Sequence, residues 1–151
     1  MKLHWKILIT IALAVLAVYL FGCQRVHIQD SANETADYRP SIGKLVNFYR
    51  ETNEKYFLGG LPGSETRIKF SDLSVLGDMA TIDRFNDGSW LIQIDPAMHA
   101  TEKQAEMSLI HEMCHQDDKM SGSPEGLDGH SYAFEACMLH VAAKGGLKNI
   151  W

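Results

Sequence analysis

His111, Glu112 and His115 stand together in the stretch "HEMCH". Two imidazoles four residues apart, with a carboxylate directly after the first, are the donor types and spacing of a metal-assisted hydrolytic centre. In a helix, a rise of 1.5 Å and a turn of 100° per residue put the two histidines one above the other, about 6 Å apart along the axis, so both rings reach one ion. Glu112 then projects to the side, where it can hold a water as general base without becoming a ligand. Catalytic zinc takes three protein ligands and keeps a fourth position open, so a third donor must lie downstream. One common continuation needs a histidine at position 121, which is Ser121. His130 and Glu135 remain as candidates. With a helix starting near Gly129, His130 falls in its first turn facing the motif while Glu135 lies about 140° further round, which favours His130.

The elements that must position these residues are legible in outline. Thr101 and Gln104 make a capping box opening the helix that carries the motif. Upstream, Pro40 suits a first helical turn, and Ile42, Leu45, Val46 and Tyr49 recur at the spacing of one buried face in a helix reaching about Lys55. "LGGLPGS" breaks the chain, "RIKF" reads as a strand, and "MATIDR" and "WLIQID" flank the turn former "NDG" as a hairpin closed by Pro96. The pattern predicts an α+β domain: an N-terminal helix, a small antiparallel sheet, the motif helix and a following ligand-bearing helix. Trp90, Ile92 and Ile94 read as a core face, in preference to a sheet edge that receives an extended peptide.

The chain has 151 residues, 46% of them hydrophobic, enough for one domain with a core. Ile7 to Phe21 is an apolar run, uncharged throughout and preceded by Lys2 and Lys6, the pattern of a signal peptide or membrane anchor. It ends in "LFGC", which resembles a bacterial lipobox in which Cys23 is acylated and becomes the mature N-terminus. The expected organisation is a signal or anchor over 1–22, a polar spacer over 23–37 and a folded domain over 38–151, exported and tethered to the membrane through lipid or an uncleaved anchor. Loss of residues 1–22 removes two of 14 basic residues and none of 19 acidic ones, a net charge of −7, which argues against a nucleic-acid partner. Cys114 and Cys137 occupy interior-looking helix positions and read as free buried thiols, although export makes a disulfide between them feasible.

Beyond the motif, "DGHSYAFEACM" supplies Gly129, His130 and Phe134, with Met138 after them. Here the chain resembles the SprT-like metallopeptidases, including Spartan, whose HExxH helix is followed by a short loop and a Gly-His-Gly-x-x-Phe pattern opening a second helix. "YFLGGL", "IKFS" and "LIQIDP" are similar to that family's upstream region, so the resemblance runs from about Val46 to Met138. It implies a zincin-like fold, a Zn2+ ion held by His111, His115 and His130, and Glu112 as the catalytic base. Ser131 stands where the family has glycine, which narrows the turns open to the backbone. The zinc ribbon of some relatives is missing, and their action on DNA-crosslinked proteins does not fit an acidic, exported chain.

The expected function is a membrane-tethered zinc metallopeptidase acting on a protein or peptide substrate. The alternative is a zinc-stabilised lipoprotein that binds a partner without turnover. Tyr132 reads as packing with a wet hydroxyl, His140 as structural or exposed, and Asp117 and Asp118 as ending a helix or contacting solvent; His27 and His99 have no partner pattern.

Overall fold

The computed structural model describes residues 41–124 and 129–148. The apolar run at 7–21, Cys23, the spacer with His27, and Pro40 lie outside the described residues. Among those described, the order is α1 (Ile42–Phe57), β1 (Thr66–Phe70), β2 (Ala80–Arg84), β3 (Trp90–Ile94), a short 3-10 turn (Pro96–Met98), α2 (Glu102–Ser121) and α3 (Tyr132–Ala143). This is an α+β arrangement. No helix among the described residues is long and apolar enough to cross a membrane.

The face of α1 that is buried carries Leu45, Tyr49, Thr52, Asn53 and Tyr56. Ile42 and Val46, expected on it, are exposed: Ile42 is the first residue of the helix, and Val46 lies about 75° round the axis from the centre of the buried stripe. The helix stops at Leu58, whose φ is 55°, and the Asn53 side-chain amide then holds Leu61 through both its backbone groups, at 2.9 and 3.0 Å. That clamp turns the chain towards the sheet.

The strand order is β1-β3-β2. β2 and β3 are antiparallel, as their tight turn requires, but β1 runs parallel to β3, so the sheet is mixed and not antiparallel throughout. The reason lies in the segment after β1, which crosses the end of β3 before β2 begins. Asp95, at the exit of β3, accepts from Leu73 N and Ala97 N, each at 2.9 Å, and Ser71 N bonds Ile94 O at 3.0 Å. These bonds pin the crossing and leave β3 in the centre. Both sides of β3 are therefore paired, and no peptide can add there. Trp90, Ile92 and Ile94 are fully buried, as a core face should be.

Two apolar clusters meet on α2. Leu109 and Met113 join Leu45, Tyr49, Trp90, Ile92 and Ile94. Ile110 and Cys114 join Tyr56, Phe134 and Val141 beneath α3. Each fully buried large side chain contributes about 2 kcal/mol, so α2 is held from two directions. Its rotation is set by a polar bond as well: the Tyr49 hydroxyl donates to Gln116 Oε1 at 2.7 Å, and Gln116 Nε2 donates to Thr66 Oγ1 at 2.8 Å. Gln116 is wholly buried, and misrotating α2 would strand its amide without partners.

Cys114 and Cys137 form a disulfide between α2 and α3, which corrects the expectation of free thiols. The packing of the two helices brings their Cα atoms to 5.7 Å, within the usual bridging distance.

Candidate metal centre

The capping box that opens α2 is formed on both sides. Thr101 Oγ1 accepts from Gln104 N at 3.2 Å, and Gln104 Oε1 accepts from Thr101 N at 3.3 Å. Nine residues of helix then lead to His111 and, one turn on, His115, whose Nε2 atoms are 3.1 Å apart. His130 comes from outside a helix. α3 starts at Tyr132, three residues later than the expected start near Gly129, because Ser131 is its N-cap. Gly129 has φ of +80°, a conformation that disfavours any side chain, and it turns the chain so that His130 faces α2. Ser131 itself is extended, with φ of −86°, so the departure from glycine there costs no backbone strain. The Ser131 hydroxyl accepts from Ala133 N and Phe134 N, both at 3.1 Å.

One potential ligand atom from each of His111, His115 and His130 lies within 4.8 Å of the others, a group that could hold a metal ion. Glu135 is exposed on α3 and is not in this group. The Phe134 ring supports all three imidazoles, with centroids 4.8, 4.3 and 4.2 Å from those of His111, His115 and His130. An apolar floor of this kind limits water on one side of the rings and fixes their planes.

Burial lowers the His111 pKa, helped by the nearby charge of His130. Burial also lowers that of His115, to about 4, with His111 and His130 adding to the effect. Both are therefore neutral near pH 7, the form that donates a lone pair. Glu112 is 5% exposed, and burial raises its pKa to about 7, against the pull of Lys119 and with Asp78 and Asp83 adding to the rise. A carboxyl poised there can take and return a proton near neutral pH.

His111, His115 and Glu112 open onto a cleft of about 480 Å³, whose other walls include Ala80, Ile82, Asp118 and Lys119. Asp118, expected at a helix end or in solvent, is buried and accepts from the Ser131 hydroxyl. Lys119 Nζ reaches across the cleft to Ile82 O at 3.0 Å. The spacing could have indicated Asp118, since 111, 115 and 118 follow the i, i+4, i+7 rule of one helix face. Nothing local to Ser131 announces its partner.

No protein-family model matches the chain, and no curated protein matches its sequence. The site is carried by its own residues.

The remaining residues fall outside it. Tyr132 is 91% exposed, and His140 is exposed. His99 is buried: its Nδ1 is 2.6 Å from Asp95 O and its Nε2 is 2.8 Å from Ser108 Oγ. The carbonyl can only accept, so Nδ1 carries the proton and Nε2 accepts from Ser108, an arrangement that ties the exit of β3 to α2.

Proposed function

We propose that the chain is a zinc-dependent metallopeptidase with a zincin-like fold, in which His111, His115 and His130 hold the ion and Glu112 is the general base. The observation that carries this reading is the convergence of three imidazole donors, two of which line an open cleft together with a buried carboxyl. Zinc fits the donor set. Two imidazoles bound at about 2.0–2.1 Å in tetrahedral geometry would have nitrogens about 3.3 Å apart, close to the 3.1 Å between His111 and His115. Three imidazole nitrogen donors beside a cleft suit a catalytic ion better than a closed structural one. When bound, zinc supplies Lewis acidity, lowering the pKa of water and polarising a carbonyl.

Glu112 takes a proton from the attacking water as the water oxygen bonds to the scissile carbonyl carbon. As the carbon–nitrogen bond breaks, Glu112 returns that proton to the leaving amine nitrogen. Water is consumed, and a carboxylic acid and an amine are formed.

Peptide as the substrate is supported by the outer edge of β2. Asp95 N bonds Met79 O and Phe85 N bonds Ser89 O, both at 2.9 Å, so the odd-numbered residues of this strand face β3. Ala80 and Ile82 therefore turn their backbone groups to the cleft, and the Lys119 ammonium on Ile82 O marks that direction. An extended peptide can add as a further strand there, displacing the lysine. Export and tethering through Cys23 or an anchor belong to the same proposal. The test is digestion of an unfolded protein by the full-length chain: activity should disappear with a chelator and return with added zinc. Digestion unaffected by the chelator would overturn the assignment.

A further inference from the structure

The cleft has a second arm. A depression of about 480 Å³ lies against the start of β2, lined by Met79, Met107, Met138 and Leu147, and it shares His111, Glu112, Asp78 and Ala80 with the first. The two arms have opposite chemistry. Asp118, Lys119 and Ser123 line the polar one, whereas three thioethers and a leucine line the other.

The position of the apolar arm is fixed by the helices that carry the site. Met107 is one turn before His111 on α2, and Met138 is one turn after Phe134 on α3. One turn is about 5.4 Å along the axis, less than two residues of extended chain at about 3.3 Å each. A peptide lying on β2 with its scissile bond over Glu112 therefore brings the side chain of a residue flanking that bond to the apolar arm. Met107 belongs to neither core cluster and is only half buried, so its side chain is not consumed by packing. Methionines adapt to ligands of different shape, which favours a class of side chain over a single residue. Asp78 at the junction of the arms, next to Glu112, opposes an acidic one.

We infer that this arm is a substrate subsite, receiving a large apolar side chain, that of Leu, Met or Phe, from a residue next to the peptide bond that is cut. The substrate class is then a chain segment with such a residue exposed, as unfolded proteins provide. This inference rests on the hydrolytic reading of the His111–Glu112–His115 site.

The experiment uses full-length, zinc-loaded protein and peptides of Gly, Ala, Ser and Thr that carry one Leu, Met, Phe, Asp or Lys. Binding is read by fluorescence anisotropy on Glu112→Gln, and cleavage positions are read on wild type by mass spectrometry. Leu, Met and Phe peptides should bind at least about 10-fold tighter than the Asp peptide, with the cut beside the apolar residue. Met107→Glu should remove that preference and favour Lys; if it does not fold, Met107→Ala and Met138→Glu read the same walls. Cleavage without an apolar preference would overturn the subsite and leave the peptidase standing. Apolar-selective binding without any cleavage would keep the subsite and overturn the peptidase, and absence of both would overturn both.

Discussion

The Ser131 hydroxyl donates to the Asp118 carboxylate between the last turn of α2 and the N-cap of α3, and both side chains are buried. Asp118 shares a helix with His111 and His115, and Ser131 is bonded in sequence to His130. The pair thus ties the segment carrying His130 to the helix that carries the other two proposed ligands. Ser131→Ala should weaken zinc affinity by about 10-fold, as loss of outer-shell support typically does, and cost about 1 kcal/mol as a lost cap. Competition against a chromophoric chelator measures the first effect and urea unfolding the second. Zinc affinity unchanged in both Ser131→Ala and Asp118→Ala would show that the pair does not position the site.

His130, and not Glu135, should complete the metal centre. Zinc content after dialysis should collapse in His130→Ala and stay at the wild-type level in Glu135→Ala, because Glu135 is exposed on α3. The opposite pattern would require α3 to turn by more than a third of a revolution.

The site was more legible than the scaffold. The motif, the capping box and the hairpin follow from short-range chemistry, and local spacing is enough to find them. His130 could be picked over Glu135 by helix geometry, although its helix begins later than the spacing predicted. The parallel pairing of β1 was not legible, since it depends on Asp95 capturing Leu73 N across the sheet end. The Asp118–Ser131 bond and the disulfide likewise depend on how α2 and α3 pack. Spacing along one chain does not encode a contact between two helices.

The disulfide closes a loop of 23 residues that contains the segment from His115 to His130. Chain entropy for a loop of that length amounts to about 3 kcal/mol. Cys114→Ala with Cys137→Ala should lower unfolding stability by roughly that much in the metal-free protein, and the loss should shrink with zinc bound, because the ion joins the same two segments. Calorimetry with and without zinc checks this. Equal losses in the two states would show that the cross-links act independently.

Stability of the metal-free protein should depend on pH through Glu112. Its carboxyl is raised from 4.5 to about 7 in the fold, so the contribution is fully present below pH 4.5 and is lost as pH rises through about 7. His115 works in the opposite direction, since a pKa lowered from 6.5 to about 4 gives stability that is present above pH 6.5 and lost as pH falls through about 4. Glu112→Gln isolates the first effect. At pH 8 it should be more stable than metal-free wild type by up to about 3 kcal/mol, with little difference below pH 4.5. Zinc should narrow the gap, because its charge favours the ionised carboxylate. Urea unfolding across this pH range decides the matter, and a Glu112→Gln protein less stable than wild type at pH 8 would show that the carboxylate is not penalised by burial.

The central claim is that Glu112 moves the proton in peptide hydrolysis. The direct measurement compares hydrolysis of an unfolded protein by full-length wild type and Glu112→Gln at equal, measured zinc occupancy. Glutamine keeps the size of the side chain and cannot accept the proton, so the rate should fall by about 10² to 10⁴ while bound zinc stays constant. Equal rates in the two proteins, or no hydrolysis by zinc-loaded wild type, would contradict the account and favour a zinc-stabilised protein that binds its partner without turnover.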